Sequence, residues 1–158
     1  MRVLFICSGN SCRSIMAEAI FNSLAPKGWK AASAGTQPTG AVNPRTLEVL
    51  RREGIDTLGL SSKSWDMLRW RPDIVISLCA RAAGQLGPEY AGLVLRAHWG
   101  LDDPALASGD DDAVMAEFNR VYRQIRARIE AFLTLERMTL PRDRLRLQTA
   151  LDHLALMA

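Results

Sequence analysis

A short segment near the N-terminus combines the side chains needed to bind a tetrahedral oxyanion and attack its central atom. Cys7 and Arg13 are separated by five residues, and Ser14 follows the arginine. A cysteine thiolate is a strong nucleophile. An arginine guanidinium presents a planar fork of donors that matches two oxygens of such an anion. The spacing alone is a weak signal, so its meaning depends on the elements that position it.

The predicted elements on either side of this segment favour an anion site. Residues 3–6 form a continuous apolar run, which is typical of a strand buried on both faces. The apolar spacing of residues 14–24 predicts a helix. The loop between them therefore joins the carboxyl end of a strand to a helix N-terminus, where free backbone N–H groups attract an anion. The predicted oxyanion-binding residues are Ser8, Gly9, Asn10, Ser11, Cys12 and Arg13.

Individual loop residues have distinct expected roles. Gly9 and Asn10 tolerate the positive φ angles that a tight loop needs, and Ser14 can donate to the sulfur of Cys7. Cys12 is either a small buried side chain or a second redox thiol. The competing interpretation of the segment is a buried cysteine near an unrelated surface arginine. The agreement of strand, loop and helix signals favours the oxyanion site.

Short apolar runs alternate with helical patterns along the rest of the chain. Asn43 and Pro44 predict a helix start, and Gly54 predicts its end. A long amphipathic helix is predicted after residue 110. The predicted strands are residues 3–6, 29–34, 74–78 and 93–99, and the last predicted helix is 142–156. This alternation predicts an α/β fold, a single doubly wound domain with a four-stranded parallel sheet and flanking helices.

Composition and charge argue against several other classes of protein. The chain has 158 residues, a formal charge of +3 and 23% charged residues, which is typical of one globular domain. No apolar run reaches the roughly 20 residues that span a bilayer, and the N-terminus lacks a signal-peptide pattern. We therefore expect no membrane association and a cytoplasmic location. The arginines of the C-terminal part lack interleaved aromatic residues, which predicts a solvated helix face rather than nucleic-acid binding.

The cysteine and histidine content limits metal and disulfide chemistry. Three cysteines, an odd number, predict free thiols in a reducing compartment rather than a disulfide framework. There is no Cys-x2-Cys pair, and His98 and His153 are the only histidines. We therefore expect no metal site and no bound cofactor.

These residues resemble the low-molecular-weight protein tyrosine phosphatase superfamily, and within it the arsenate reductases. The likeness extends over about the first 133 residues and implies a catalytic domain at 1–133 and a C-terminal helical extension at 134–158. It rests on residues 3–14, Met16-Ala17-Glu18-Ala19, Ser33-Ala34-Gly35-Thr36, residues 74–79 and His98-Trp99-Gly100-Leu101-Asp102-Asp103-Pro104-Ala105. In the extension, Leu145, Leu147, Leu151 and Leu154 predict an amphipathic helix that packs on the domain or on a second subunit.

The resemblance implies roles for two residues outside the loop. Asp103 matches the general acid of the family, and a turn or helix-start aspartate is the alternative. Cys79 matches the cysteine that resolves a cysteine–arsenic adduct in the reductases, and a buried structural thiol is the alternative. The predicted catalytic set is therefore Cys7, Arg13, Ser14, Cys79 and Asp103.

Two features favour the reductase branch over the phosphatases. The His98-Trp99-Gly100 run is reductase-like, and Ala105 and Leu106 stand where phosphatases typically carry two aromatic residues. The resemblance thus implies thiol-dependent reduction of arsenate to arsenite through a Cys7–arsenic adduct. The alternatives are hydrolysis of phosphomonoesters or phosphotyrosine through a Cys7 phosphocysteine, and a non-catalytic oxyanion-binding module.

Departures from the family pattern bear on the electron donor and on ions. Leu86 stands where thioredoxin-coupled relatives have a third cysteine. The resemblance therefore implies an external thiol, either glutathione or mycothiol with a glutaredoxin-like partner, or direct attack on a Cys7–Cys79 disulfide. Some family members bind potassium near Asn10, Glu18 and Ser33. Lys63 falls near a further acidic ligand of those proteins, so its ammonium is expected to replace the ion. The oligomeric state is left open by the sequence.

Overall fold

The sheet consists of four parallel strands whose apolar runs are buried. The computed structural model describes residues 1–86, 94–138 (for 136–138 the backbone alone) and 144–157. The strands are β1 (Arg2–Cys7), β2 (Lys30–Gly35), β3 (Ile74–Ser77) and β4 (Leu95–His98), in the order β2-β1-β3-β4. The predicted four-stranded parallel sheet is confirmed. Residue 93 of the fourth predicted strand lies outside the described residues.

Five helices within the described residues flank this sheet. They are α1 (Arg13–Leu24), α2 (Pro44–Arg52), α3 (Ala80–Gln85), α4 (Asp111–Met138) and α5 (Arg144–Leu154), with two short 3₁₀ turns at Trp65–Met67 and Pro104–Leu106. The α2 start is as predicted, because Asn43 accepts from the N–H of Arg45 at 2.9 Å and Pro44 is the first helical residue. No helix in the described part of the chain is long and apolar enough to cross a membrane.

The first helix begins at the functional arginine and is buried almost all round. It packs on β1 and β2 on one side and on α4 on the other, which explains why eight of its first nine residues are buried rather than a single stripe. Beside it lies an aromatic cluster in which the Phe5 ring is 6.0 Å from that of Phe21 and 6.3 Å from that of Trp99. The site residues at the start of α1 are therefore held by the core itself.

The last helix packs on the domain's own β4 and α4. Leu147, Leu151 and Leu154 are buried there, as the leucine pattern predicted, whereas Leu145 is 75% exposed. Residues 142 and 143 of the predicted helix lie outside the described residues. The predicted boundary between residues 133 and 134 falls inside α4, which is continuous to Met138, and the domain division remains a prediction.

Three hydrogen-bonded links tie the C-terminal region to β4 and to the loop after it. The indole N–H of Trp99 donates to the carbonyl of Leu151 at 3.0 Å, and Gln148 donates to the carbonyl of Arg96 at 2.7 Å. Arg128 donates to the carbonyls of Gly100 and Met157. This arginine is 5% exposed and burial lowers its pKa, so it departs from the solvated face predicted for the C-terminal arginines.

Candidate active site

The sulfur of Cys7 lies at the end of β1 among hydrogen-bond donors. The side chain is 2% exposed. Its sulfur is 2.9 Å from the Ser14 hydroxyl and accepts from the backbone N–H of Asn10 at 3.2 Å. The Ser14 hydroxyl and the Asn10 N–H can both donate to the sulfur when it acts as a nucleophile or a leaving group. The predicted contact between Cys7 and Ser14 is therefore present.

The loop from Cys7 to Arg13 turns its carbonyl groups outward. The carbonyl oxygens of residues 7, 8, 9 and 11 accept from the backbone N–H groups of Thr36, Gln37, Thr39 and Asn43, at 2.9 to 3.3 Å. In a trans peptide the N–H group points opposite to the carbonyl of the preceding residue. The N–H groups of residues 8, 9, 10 and 12 therefore point into the loop, which is the arrangement that an oxyanion needs.

Asn10 holds this loop in shape. Its backbone has a φ of 46°, as expected for a residue in a tight loop. Its side-chain amide donates to the hydroxyls of Ser14 and Ser33 at 2.8 and 3.0 Å, and its carbonyl oxygen accepts from the N–H of Lys63 at 2.9 Å. This buried amide thus joins β2, α1 and the 61–64 segment. The expectation for Gly9 is wrong, because its φ is not positive.

Lys63 lies beside Asn10 and Glu18, two of the residues for which the resemblance implies a potassium site in some relatives. Its ammonium lies 4.0 Å from the carboxylate of Glu18, which also accepts from the Ser33 hydroxyl at 3.0 Å. Burial raises the pKa of Glu18, and Lys63 and Ser33 oppose that rise. Asn10 and Glu18 thus have protein partners, and replacement of a potassium ion by the Lys63 ammonium remains a prediction. No cluster of three or more histidine, cysteine or acidic residues suited to a metal is found within the described residues.

A cavity of about 360 Å³ opens above Cys7. Its floor is the loop and its walls come from the segment after β2, the start of α2 and the Asp103 loop. The lining residues are Cys7, Gly9, Asn10, Ser11, Cys12, Arg13, Thr39, Ala41, Val42, Asn43, Pro44, Asp103 and Ala105. Of the predicted oxyanion-binding residues, Ser8 is the one that does not line this cavity, because its hydroxyl turns toward Cys79.

Arg13 and Asp103 meet at the rim of this cavity. A guanidinium nitrogen of Arg13 lies 3.5 Å from a carboxylate oxygen of Asp103, and another donates to the carbonyl of Leu101 at 3.1 Å. The second carboxylate oxygen of Asp103 accepts from the N–H of Ala105 at 3.0 Å and caps the short 3₁₀ turn. Asp103 is therefore both the turn aspartate of the alternative interpretation and a carboxyl group at the mouth of the cavity.

Cys79 lies beside the loop at the start of α3. Its sulfur is 3.3 Å from the hydroxyl of Ser8 and 3.4 Å from the N–H of Ala82. It lines a second cavity of about 320 Å³. The other lining residues are Arg13, Ala80, His98, Gly100, Leu101, Asp102 and Gln124. The guanidinium of Arg13 thus borders both cavities, with Cys7 in one and Cys79 in the other.

Cys12 has a different environment from the other two cysteines. It is 4% exposed, and burial raises the pKa of its thiol from 9.0 to about 11. A thiol that stays protonated at neutral pH is a poor nucleophile. All three cysteines lie in the described part of the chain and are free.

The segment 36–43 belongs to the site, although sequence reasoning did not include it. It supplies the donors that turn the loop carbonyls outward, and Thr39 and Val42 line the cavity. A sequence signal for this segment exists, because it follows β2 and so begins at the same carboxyl edge of the sheet as the Cys7 loop. Gly35, at the end of β2, is also required: a Cβ there would lie 2.5 Å from the carbonyl oxygen of Ser8.

Comparison with known proteins gives a consistent pattern. The family model for low molecular weight phosphotyrosine protein phosphatase matches residues 2–145. An arsenate reductase of Halalkalibacterium halodurans is 39% identical over 131 residues, which cover 82% of this chain and 93% of that protein.

Solved structures agree with the sequence relatives. An arsenate reductase in the phosphate binding state has a TM-score of 0.72 and 30% identity, covering 85% of this chain and 97% of that one. A low molecular weight protein tyrosine phosphatase from T. tengcongensis has a TM-score of 0.66 and 28% identity, covering 87% of this chain and 99% of that one.

Proposed function

The chain belongs to the low molecular weight phosphotyrosine protein phosphatase family, and from that premise we propose that it reduces arsenate to arsenite with an external thiol as electron donor. Cys7 is the nucleophile, and the inward N–H groups of the loop together with Arg13 bind the oxygens of arsenate. The 39% identical relative that carries the name arsenate reductase supports this choice of substrate. The reaction needs reduced thiols, which fits the cytoplasmic location expected from the sequence.

The first step joins Cys7 to arsenic. The thiolate of Cys7 attacks arsenic, an S–As bond forms, and one oxygen leaves as hydroxide or water. Asp103, at the rim 3.5 Å from Arg13, passes a proton to the leaving oxygen. Ser14 donates to the sulfur, 2.9 Å away, and stabilises its negative charge before attack and whenever it departs again.

The second step transfers two electrons to arsenic. A thiolate of Cys79 attacks the sulfur of Cys7, the S–As bond breaks, and its electron pair leaves with arsenic as arsenite. Cys7 and Cys79 are then joined as a disulfide. The observation that most supports this step is the 3.3 Å contact between the Ser8 hydroxyl and the Cys79 sulfur, because Ser8 directly follows Cys7 in the chain.

The disulfide is reduced by a small thiol rather than by a relay cysteine. Leu86 is the C-cap residue of α3. Leucine has no thiol, so it cannot take part in a thiol–disulfide exchange that would move the disulfide to the protein surface. Reduction by glutathione or mycothiol with a glutaredoxin-like protein therefore fits this chain better than a thioredoxin relay.

Phosphatase activity is the second candidate function. A phosphomonoester would fit the same cavity, use Cys7, Arg13 and Asp103, and leave Cys79 without a role. The likeness to a solved tyrosine phosphatase supports it. The cavity wall argues against a phosphotyrosine substrate, because Ala105 is small and Leu106 is 81% exposed. A binding module without turnover would retain its function in Cys7→Ser.

The deciding experiment follows arsenite release from arsenate by the purified protein. Glutathione with glutaredoxin, mycothiol with mycoredoxin, and thioredoxin are compared, and p-nitrophenyl phosphate hydrolysis is measured alongside. We expect turnover with a small-thiol system that is lost in Cys7→Ser, whereas Cys79→Ser loses arsenite release and keeps ester hydrolysis within about threefold. Ester hydrolysis without arsenite under any reductant would make the chain a phosphatase.

A further inference from the structure

The two reactive thiols open into different cavities. Cys7 borders the oxyanion cavity, and Cys79 borders the second cavity on the other side of Arg13. A Cys7–Cys79 disulfide would therefore present its Cys79 sulfur to the second cavity while arsenate or phosphate occupies the first. While the first cavity is occupied, an external thiol would approach the disulfide from the second cavity.

The size and depth of the second cavity suit a small molecule. Its volume of about 320 Å³ lies at the lower end of the range for small-molecule sites, about 300 to 1,000 Å³. The Cys79 side chain is only 9% exposed, so its sulfur is recessed. A cysteine on a flat protein surface does not reach such a sulfur, whereas a small thiol can enter.

His98 is placed to accept a proton in this cavity. The register of β3 and β4 pairs Ser77 with His98. The Ser77 hydroxyl donates to the carbonyl of Ala97 at 3.4 Å and lies 2.8 Å from Nδ1 of His98. In the tautomer that carries its hydrogen on Nδ1, His98 donates to the Ser77 hydroxyl, and Nε2 is the ring nitrogen that can accept a proton. The exposed His98 ring lines the same cavity as Cys79.

The other walls are polar and come from separate elements. Asp102 is paired with Arg120 at 3.0 Å but keeps 82% of its side chain exposed. Gln124 on α4 and Arg13 on α1 complete the lining. Carboxylate, amide and guanidinium groups recognise a thiol whose body carries amides, hydroxyls or charged groups, as peptide and sugar thiols do.

We propose that this second cavity is the binding site of a small polar thiol, which attacks the Cys79 sulfur of the oxidised protein with His98 as the base. The proposal rests on the reductase function proposed above. It adds the site of the reductant, the sulfur that is attacked and a catalytic role for His98.

The exchange replaces the Cys7–Cys79 disulfide with a mixed disulfide on Cys79. The thiol gives its proton to Nε2 of His98, its sulfur bonds to the Cys79 sulfur, and the Cys7–Cys79 bond breaks. The electron pair leaves on Cys7, where the Ser14 hydroxyl and the Asn10 N–H receive the thiolate. A second thiol, small or from a glutaredoxin-like protein, then reduces the mixed disulfide on Cys79. Cys7 is freed first and is ready for the next anion.

The test starts from the full-length protein oxidised with diamide. The oxidised protein is mixed with glutathione or with mycothiol, and acid is added to stop thiol–disulfide exchange. Free thiols are then blocked by alkylation, and the state of each cysteine is assigned by peptide mass spectrometry. The proposal predicts a mixed disulfide on Cys79 and a free Cys7, and the two arms identify which thiol is preferred. An adduct on Cys7 or Cys12, failure of diamide to form the Cys7–Cys79 disulfide, or reduction by thioredoxin alone overturns it.

Substitutions at two residues that line the second cavity, His98 and Gln124, test the proposal further, and His153 provides a matched control. His98→Gln should slow adduct formation about tenfold at neutral pH, and the difference should vanish at alkaline pH, where the thiol is already ionised. His153→Gln, on an exposed position of α5, should leave the rate unchanged. Gln124→Phe should raise the half-saturating thiol concentration about fivefold and leave phosphate binding over Cys7 unchanged. Equal pH profiles for His98→Gln and the unaltered protein would remove the base from the proposal.

This exchange is measured without arsenate, so the two proposals fail separately. An adduct on Cys79 without any arsenite release would refute the arsenate reductase and keep the thiol site. Arsenite release with an adduct on another cysteine would do the reverse.

Discussion

The cavity over Cys7 and the cavity over Cys79 share the Arg13 side chain and differ in how their walls are held. Around Cys7, one buried amide bonds to two serine hydroxyls and a backbone N–H, and four loop carbonyls are tied outward. Around Cys79, the lining groups come from separate elements and several are exposed. The first cavity is rigid before any ligand arrives, which suits the binding of one anion geometry. The second is open, which suits thiols that enter, exchange and leave.

The largest effect is expected where the two cavities meet. Arg13→Lys replaces the fork of donors with a point charge and removes the contact with the Leu101 carbonyl. We expect arsenite release and ester hydrolysis to fall about 10²- to 10³-fold, as when one oxyanion donor is lost. Steady-state kinetics and melting temperature would be measured together. Retention of more than about a tenth of the activity would show that the loop N–H groups suffice without the guanidinium.

A second variant weakens the walls of the cavity over Cys7 and leaves the cavity over Cys79 unaltered. Asn10→Ala removes the amide that bonds to Ser14, Ser33 and Lys63, and places alanine at a φ of 46°. We expect a loss of about 2 to 4 kcal/mol of unfolding free energy and a fall of about 30-fold in anion turnover. Asn22→Ala is the control, because Asn22 also makes two hydrogen bonds, both to Ala31, far from the site. Equal loss of activity in both variants would reduce the role of Asn10 to general stability.

A smaller effect is expected when the support of the second cavity is weakened. Trp99→Phe removes the indole N–H that donates to Leu151 and leaves space in the core. We expect unfolding free energy to fall by about 1 to 3 kcal/mol and thiol exchange at Cys79 to slow about threefold. Phosphate binding over Cys7 should be unchanged by calorimetry. A weakened phosphate affinity would show that the two cavities are coupled through this wall.

The smallest effect is expected at Cys12, which lines the rigid cavity but is held as a thiol. Cys12→Ala should keep both activities within about twofold. Because burial raises the pKa of Cys12 to about 11, the unfolded chain ionises first as pH rises, and stability is lost between about pH 9 and 11. Melting temperatures across this range should therefore fall less in Cys12→Ala than in the unaltered protein. An identical fall would contradict the raised pKa.

The sequence predicts most of what local patterns can determine. The apolar run before Cys7, the Asn43-Pro44 helix start and the β-branched strand at 74–77 all lie where their periodicity and capping place them. The Cys7–Ser14 contact was expected from the strand, loop and helix predicted around these two residues. The nearness of Asp103 to Arg13 needed the family resemblance, because residues 90 positions apart meet only through the topology of the sheet.

What the sequence misses depends on contacts between distant segments. The expected glycine conformation at position 9 is absent because Asn10 alone makes the left-handed turn. The sequence pattern places Arg128 among surface arginines. In the structure its side chain is buried and donates to two backbone carbonyls from different parts of the chain. The second cavity was not predicted, since its lining from α1, α3, α4 and the loop after β4 has no common sequence pattern.

The position of α5 against β4 has a consequence for solubility. β4 ends the sheet on one side, and the outer edge of such a strand offers free N–H and carbonyl groups on which another chain can add a strand. The side chain of Gln148 donates a hydrogen bond to the Arg96 carbonyl on this strand, and the buried leucines of α5 hold the helix beside it. The last helix thus protects the chain against aggregation. Without it, the edge of β4 would be open to pairing with another chain, even if the catalytic loop stayed folded.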